Sequence, residues 1–355
     1  LGLKPANYAL GQIVPAGTPR PVTAAPNSQP SAPVPSLNSQ PSTLNSSFTL
    51  SPNAHIALIG NALADRMQHH GWLETMMLAK NPTNQITVRN LAFPGDEVVT
   101  RARSKDFGTP DQWLTKVQAD VIFAFFGYNE SFAGDPGLPK FKEDLATFLR
   151  ETRAKTYNGT TPPRIVLFSP VATEKHPDPN FAFDPGINAN LAAYTRAMAE
   201  VARGQDGVTF VDLFAPSQEL FAEAARSKRP LTIDGVHLND QGEGKLAEKI
   251  FPALFGSAAP KTESPEFQKL RAAVNAKNAL WHSRYRTMDG FNIYGDRSKI
   301  AYISHPDAPK ITNTQIMMEE MAQRDVMTAN LERRAWALAS GRKEPVEMLP
   351  LPVVS

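Results

Sequence analysis

The chain has 355 residues, 41% of them hydrophobic, which is enough for a sizeable core and, at about 150 residues per domain, roughly two folding units. Its net charge is +2, from 37 basic and 35 acidic residues, and this balance argues against a nucleic-acid-binding protein, which usually carries a clustered basic excess. The absence of cysteine excludes disulfides, thiolate metal sites, iron–sulfur clusters and a cysteine nucleophile. The longest apolar runs have strand length, so the sequence predicts no membrane span, which needs about 20 residues.

The first 53 residues differ in composition from the rest. Residues 15–53 are dominated by Pro, Ser, Asn, Gln, Thr and Ala, and Asn-Ser-Gln-Pro-Ser occurs at both 27–31 and 38–42. Such a segment buries too little apolar surface to offset the entropy of ordering it. We therefore expect residues 1–53 to form an extended arm and linker. The first residue is Leu1 rather than methionine, which indicates a processed product, an excised fragment or an edited sequence.

Residues 54–256 alternate between strand and helix patterns. Short apolar runs predict five strands, at residues 54–60, 86–92, 120–127, 164–169 and 208–213. Stretches with helical spacing lie between and after them, at residues 63–79, 110–117, 138–155, 188–203, 217–227 and 240–254. This alternation predicts an α/β domain with a parallel sheet that helices cover on both faces.

Residues 257–355 lack this alternation. Ser264-Pro265 is a good helix start and predicts a helix to residue 286, and a second helix is predicted over 313–339. We interpret this segment as a helical extension too sparse in core material to fold alone. Large apolar side chains in both tails, Trp281 and Trp336 among them, predict that the tails pack on the α/β domain and on at least one other chain, a copy or a partner. Weak self-packing with disorder is the alternative.

Polar and glycine motifs follow the predicted strands. Gly60-Asn-Ala-Leu63 follows the first strand, Phe93-Pro-Gly95 the second and Gly127-Tyr-Asn-Glu130 the third, while Asp234-Gly-Val-His237 lies beyond the fifth strand and a helix. Ligands of open parallel sheets bind at the carboxyl ends of the strands. We therefore expect these motifs to lie close together in space.

In their order and spacing, the motifs resemble the four sequence blocks of the SGNH (GDSL) hydrolase superfamily over residues 54–256. One such block alone is weak support, whereas four in order are specific. The resemblance implies a flavodoxin-like three-layer sandwich with a five-stranded parallel sheet in the order 2-1-3-4-5. It also implies an ester-hydrolysis site.

The residue types fit that chemistry. Asp234, three residues before His237, can orient an imidazole that acts as general base and then as general acid. The backbone N–H groups of Ala62 and Gly95 and the side-chain N–H of Asn129 would form an oxyanion hole, at about 3 kcal/mol per donor. The plainer interpretations are a turn glycine, a strand-end cap and a surface Asp–His pair.

The chain departs from the family signature at the nucleophile. Gly-Asp-Ser-Leu is here Gly-Asn61-Ala62-Leu, and Glu130 replaces an aspartate. Alanine cannot form an acyl-enzyme, and loss of a triad nucleophile costs about 10⁶-fold in rate. Three explanations stay open: a deliberate knockout, a natural pseudoenzyme, or another hydroxyl, for which Ser131 is nearest by motif. Asn61 favours a natural change, because a knockout would alter only the serine.

The expected function is therefore an SGNH-type ester hydrolase, acting on a carbohydrate-linked acyl ester, with its site disabled or nearly so. The alternative is a non-catalytic interaction module in a larger assembly. Residues 292–299 and 318–330 are also similar to segments of large secreted planctomycete and verrucomicrobial proteins with dehydrogenase and haem domains. That similarity implies an extracytoplasmic location and redox or haem partners. No cofactor or metal is expected, since His69-His70 is interpreted as a solvent-facing pair.

Overall fold

The computed structural model of the chain describes residues 48–104, 106–287, 290–302, 311–342 and 346–353. Residues 1–47 of the predicted arm lie outside the described residues. One five-stranded parallel sheet has the order β2-β1-β3-β4-β5, which confirms the predicted topology. Its strands are β1 (His55–Gly60), β2 (Thr87–Asn90), β3 (Val121–Phe125), β4 (Arg164–Phe168) and β5 (Val208–Val211).

Both faces of the sheet are buried, which explains why its strands have continuous apolar runs. Successive side chains of a strand point to opposite faces. In β1, Ile56 and Leu58 join one hydrophobic cluster, whereas Ala57 and Ile59 join the other. The three-layer sandwich predicted from the sequence is confirmed.

Helices cover the two faces and form the extension. Within the α/β part they are α1 (Ala62–His70), α2 (Trp72–Lys80), α3 (Pro110–Lys116), α4 (Gly134–Arg153), α5 (Pro185–Ala202), α6 (Phe214–Ser227) and α7 (Asp240–Phe255). A short 3₁₀ helix, Glu130–Ala133, precedes α4. The extension contains α8 (Pro265–Tyr285), α9 (Gly290–Ile293) and α10 (Asn313–Ala339). Among the described residues, no helix is both long enough and apolar enough to span a bilayer.

Some predicted helix limits are wrong. The single helix expected over 63–79 is divided into α1 and α2 at Gly71, which has the left-handed φ of 64°. A glycine with positive φ ends a helix because it lacks the Cβ that makes this conformation costly. Helices α4 and α6 begin earlier than predicted, with Pro136 and Pro216 in their first turns, where a proline is tolerated.

Residues 257–355 pack on the α/β domain, as the sequence predicts, and whether they could fold alone stays a prediction. Helix α8 packs on α1, α2 and β2, and α10 packs on α8. Phe267 and Val274 belong to the cluster on one face of the sheet, and Trp281 and Tyr285 belong to the cluster on the other. Trp336 donates its indole N–H to the Ile86 carbonyl at 2.8 Å. The aromatic side chains of the extension complete the core at the β2 edge of the sheet.

Charged pairs also attach the extension to the α/β domain. Lys277 on α8 is fully buried, with its Nζ 2.6 Å from Glu74 Oε1 on α2. Glu332 on α10 is buried and accepts two hydrogen bonds from Arg89 of β2, at 2.7 and 2.8 Å. Burial would raise the pKa of Glu332, but Arg89 outweighs this effect and holds the pKa below its usual value. Both pairs therefore join charged groups in a dry interface.

Candidate active site

A pocket of about 300 Å³ is lined by residues that follow β1, β3 and β4. It brings together four of the five predicted site residues, Ala62, Gly95, Asn129 and His237. The fifth residue, Asp234, is hydrogen-bonded to His237. The sequence motifs therefore converge at the carboxyl ends of the strands, although their catalytic roles stay predictions.

Asp234 and His237 form a tightly bonded pair. Asp234 Oδ2 lies 2.6 Å from His237 Nδ1, and Oδ1 accepts the backbone N–H groups of Val236 and His237 at 2.9 and 2.7 Å. Burial would raise the pKa of Asp234, but these hydrogen bonds outweigh it and keep the pKa below its usual value. Because the aspartate engages Nδ1, Nε2 remains for proton transfer, as in an Asp–His pair that acts as general base.

Glu174 holds the loop that carries this pair, and the sequence motifs did not predict it. Its buried carboxylate accepts the backbone N–H groups of Leu231 and Thr232 and the Thr232 hydroxyl, the last at 2.6 Å. Its own N–H donates to the Gly235 carbonyl at 2.8 Å. Glu174 is thus a positioning residue. It is distant in sequence from the Asp234 motif, and no local pattern marks it.

Ala62 is the first residue of α1. Asn61 caps this helix, since its Oδ1 accepts the Leu63 N–H at 3.1 Å. Asparagine and aspartate are both good N-caps, so the change at position 61 keeps the local geometry. The N–H of Ala62 has no acceptor within the helix, as is general for a first turn. The backbone donor expected of position 62 is therefore retained.

Gly95 and Asn129 line the same pocket as Ala62. Gly95 has a φ of 86°, and no protein atom lies within 4 Å of a Cβ built on it. The structural reason for glycine is thus its backbone conformation. Asn129 donates from Nδ2 to the Asp96 carbonyl at 3.1 Å. This bond leaves the second Nδ2 hydrogen for a ligand.

Two acidic side chains fix the loops that hold these donors. Glu130 accepts hydrogen bonds from the N–H groups of Gly127 and Val98 at 2.8 and 2.9 Å. These bonds lower the pKa of Glu130, but burial outweighs them and raises the pKa above its usual value. Asp96 accepts two hydrogen bonds from Arg103, both at 2.7 Å. Glutamate at position 130 therefore joins the loop after β2 to the loop after β3.

The hydroxyl groups of two serines near the pocket are engaged in hydrogen bonds with neighbouring protein groups. Ser131 is buried and donates to the Tyr128 carbonyl at 2.6 Å, so its predicted role as a substitute nucleophile is not supported by its position. Ser169 lines the pocket, but its Oγ accepts the Leu213 N–H at 2.8 Å and contacts Asp212. Neither hydroxyl contacts the His237 ring.

The His69-His70 pair is only partly solvent-facing. His69 is exposed and lies edge-on to His282, with 5.3 Å between ring centroids. His70 is half-buried, with Nδ1 3.3 Å from Asp240 Oδ1. The described part of the chain contains no cluster of three or more His, Asp or Glu side chains that could hold a metal ion.

Arg66 and Glu243 are pocket residues that the sequence reasoning missed. Both line the pocket, and Arg66 donates from one terminal nitrogen to the Leu238 carbonyl at 3.1 Å, next to His237. Burial raises the pKa of Glu243 to about 8. The residue lies in the first turn of α7, where an acidic residue is common in any helix, so the sequence alone gave no signal.

This parallel sheet, with an Asp–His pair and convergent N–H donors at its carboxyl edge, defines an SGNH-type α/β domain. The chain belongs to the GDSL-like lipase/acylhydrolase family, which it matches over residues 60–245. The comparison with curated proteins gives no match.

Several solved structures are similar to this chain. The structure described as "BT4096 a gut microbial diltiazem-metabolizing enzyme" has a TM-score of 0.59 at 11% identity, and the match covers 85% of this chain and 98% of that one. An acetyl xylan esterase, AlAXEase, has a TM-score of 0.40 at 17% identity, covering 56% and 99%. The carbohydrate acetylesterase Est24 from Sinorhizobium meliloti has a TM-score of 0.38 at 13% identity, covering 56% and 96%. At this identity the first match shows the fold alone.

Proposed function

We propose that this chain is a GDSL-type domain that binds an acyl ester, and that Ala62 leaves it inactive or nearly so in ester hydrolysis. The observation that carries the proposal is the pocket itself, in which Ala62 lies among Gly95, Asn129 and the bonded Asp234–His237 pair. A substrate carbonyl can be held by these donors. The step that forms an acyl-enzyme lacks its hydroxyl.

The proposed ligand class is a short acyl group linked to a carbohydrate. The pocket has room for a small acyl group between apolar walls that include Phe125 and Leu238. Tyr128 lines the pocket, and Phe132, which is 62% exposed, lies edge-on to it with 5.7 Å between ring centroids. An aromatic pair beside a pocket, with one of its rings exposed, offers an apolar surface for the weakly polar face of a sugar ring.

The test is the variant Ala62→Ser. If the remaining apparatus is intact, a serine at the start of α1 regains His237 as its base, and 4-nitrophenyl acetate hydrolysis rises at least about 10³-fold, a conservative part of the ~10⁶-fold effect of a triad nucleophile. His237→Ala in the Ala62→Ser background abolishes the gain. The matched control is Ala225→Ser on the exposed face of α6, which gives none. A folded Ala62→Ser protein with no gain in turnover overturns the proposal.

A second candidate is a non-catalytic interaction module in an extracytoplasmic assembly. It is favoured by the C-terminal segment, where Asn330 holds the Leu349 backbone by two hydrogen bonds while Met348, Leu351 and Val353 stay exposed. Contiguous exposed apolar side chains often mark an interface. This candidate predicts self-association or partner binding that Leu351→Asp weakens and Ala62→Ser does not affect, as measured by sedimentation velocity.

A further inference from the structure

Two buried polar atoms in the pocket wall have no hydrogen-bond partner in the described part of the chain. They are Arg66 Nε and Glu243 Oε1, and both residues line the pocket. Buried polar groups are nearly always hydrogen-bonded, and leaving one unpaired costs about 1–3 kcal/mol. Two such atoms in the wall of one pocket indicate that a bound ligand supplies their partners.

The charge of this wall indicates the kind of ligand. The Arg66 side chain donates to the Leu238 carbonyl, and no carboxylate of the described residues forms an ion pair with it. Glu243 is protonated at neutral pH, because burial raises its pKa to about 8. The wall therefore presents a guanidinium group without an ion pair to the described residues, one guanidinium N–H and one carboxyl O–H. A carboxylate, which accepts hydrogen bonds and carries a negative charge, matches all three.

We propose that Arg66 and Glu243 form a subsite for a carboxylate at the far end of an acyl group bound in the pocket. The subsite would select an acidic acyl group, such as a dicarboxylic acid esterified at one end, over a neutral one. The inference rests on the proposed function, because it assumes that the oxyanion donors hold the ester end of the same ligand.

The spacing along α1 favours a short acyl group. Ala62 and Arg66 are four residues apart and thus lie on one face of the helix, with Cβ atoms about 5–6 Å apart. The terminal carbons of an extended five-carbon diacid are on the order of 5 Å apart, given standard C–C bond lengths. Glutarate is therefore a suitable probe for the subsite.

Calorimetric titration of the unmodified chain with glutarate and with butyrate tests the subsite directly. Butyrate offers one carboxylate and a similar chain, so glutarate should bind at least tenfold more tightly. Arg66→Met should remove this difference, whereas Arg226→Met, on the exposed face of α6, should retain it. The proposal is overturned if the two acids bind with equal affinity or if neither binds. It is also overturned if Arg66→Met weakens the binding of both acids equally.

The pH dependence provides a second readout. Above about pH 8, ionised Glu243 would repel the ligand, so the advantage of glutarate over butyrate should fall. Glu243→Gln, which cannot ionise, should remove that fall, and an unaltered pH profile in Glu243→Gln contradicts the subsite. His237 and Tyr128 line the same pocket and face both acids, so the ratio of the two affinities removes the contribution that these residues make to both. The other charged groups that act on Glu243 are Arg66 and Asp65 of α1, Asp240 of α7 and Arg271 of α8.

Turnover separates failure of the subsite from failure of the proposed function. In the Ala62→Ser background, the 4-nitrophenyl monoester of glutarate should have a kcat/KM at least tenfold above that of 4-nitrophenyl butyrate, and Arg66→Met should remove the preference. If the Ala62→Ser protein is active but lacks this preference, the carboxylate subsite is rejected and the proposed function is not. Inactive Ala62→Ser rejects the proposed function, while the calorimetric comparison of the two acids still decides whether the carboxylate subsite exists.

Discussion

The buried pair between Arg89 and Glu332 supports a prediction about how the extension stabilises the domain. Glu332 accepts two hydrogen bonds from Arg89, at 2.7 and 2.8 Å. Glu332→Gln keeps the side-chain shape but removes the negative charge that pairs with Arg89. Unit charges about 4 Å apart attract by about 4 kcal/mol at an effective dielectric constant of 20. Removing one partner of a buried pair costs about 3–5 kcal/mol, because the other charge stays buried. The expected loss is therefore a large part of a typical stability of about 5–15 kcal/mol.

Equilibrium unfolding in urea at pH 7 measures this loss. The matched control is Glu248→Gln, which neutralises a glutamate in the exposed pair with Lys245 and should cost about 0–1 kcal/mol. The double variant Arg89→Met/Glu332→Leu should recover most of the stability, since an apolar replacement of a buried pair is often neutral. A loss below about 1 kcal/mol in Glu332→Gln would falsify the claim that Arg89 depends on this carboxylate.

The pH dependence of the same variant has a defined sign. The folded-state pKa of Glu332 is below its usual value, so its ionised form stabilises the native state. This contribution is fully present above the unfolded pKa of about 4.3 and is lost as the pH falls through the folded-state pKa. The stability difference between the unmodified chain and Glu332→Gln should therefore shrink on acidification. A difference that grows as the pH falls would contradict the assignment.

Two further predictions concern the pocket. Gly95→Ala places a Cβ on a residue with a φ of 86° and should reduce the free energy of unfolding, measured by urea denaturation, by about 1–2 kcal/mol. The same substitution should lower turnover in the Ala62→Ser background. Unchanged stability would show that the loop relaxes. Glu243 has a raised folded-state pKa of about 8, so the native state binds more protons than the unfolded state, and stability should fall as the pH rises from 5 to 8. Glu243→Gln should flatten that slope in thermal denaturation, and an equally steep slope would refute the assignment.

The sheet and the convergence of the motifs were predictable because both follow from local patterns. A buried parallel strand needs a continuous apolar run, and the residues after such strands meet at one edge of the sheet. Those two rules predict that Ala62 and Asn129 lie close together, and both line a single pocket. Helix limits were less predictable, since a glycine inside a helical pattern is tolerated in some helices, whereas Gly71 adopts the left-handed conformation that ends α1.

The parts that could not be predicted depend on contacts between distant segments. Glu174 is 57 residues from Leu231, whose N–H it accepts, and no pattern near either residue indicates the bond. The sequence predicts that the extension packs on the α/β domain, but it does not show which charged residues of the extension are buried there. The structure shows that two of those charged residues, Lys277 and Glu332, are themselves buried and paired. A sequence count of apolar residues does not include such pairs.

The extension also reaches the edge of the sheet at which the pocket lies. At the end of α8, Tyr285 donates its hydroxyl to the Leu91 carbonyl at 3.0 Å, in the segment that leads to Gly95. The ring of Phe93 lies between two guanidinium groups, with Arg286 at 3.8 Å on the extension and Arg103 at 3.7 Å.

Arg103 in turn holds Asp96 by two hydrogen bonds, and the Asp96 carbonyl accepts from Asn129. A continuous series of contacts thus runs from α8 to both predicted oxyanion donors outside α1. Because the donors of an oxyanion hole must be held rigidly to act on a developing charge, the helices after residue 256 serve the site as well as the core. A shortened chain ending at residue 256 would lose the supports of the Gly95 loop together with the partners of Arg89 and Glu74.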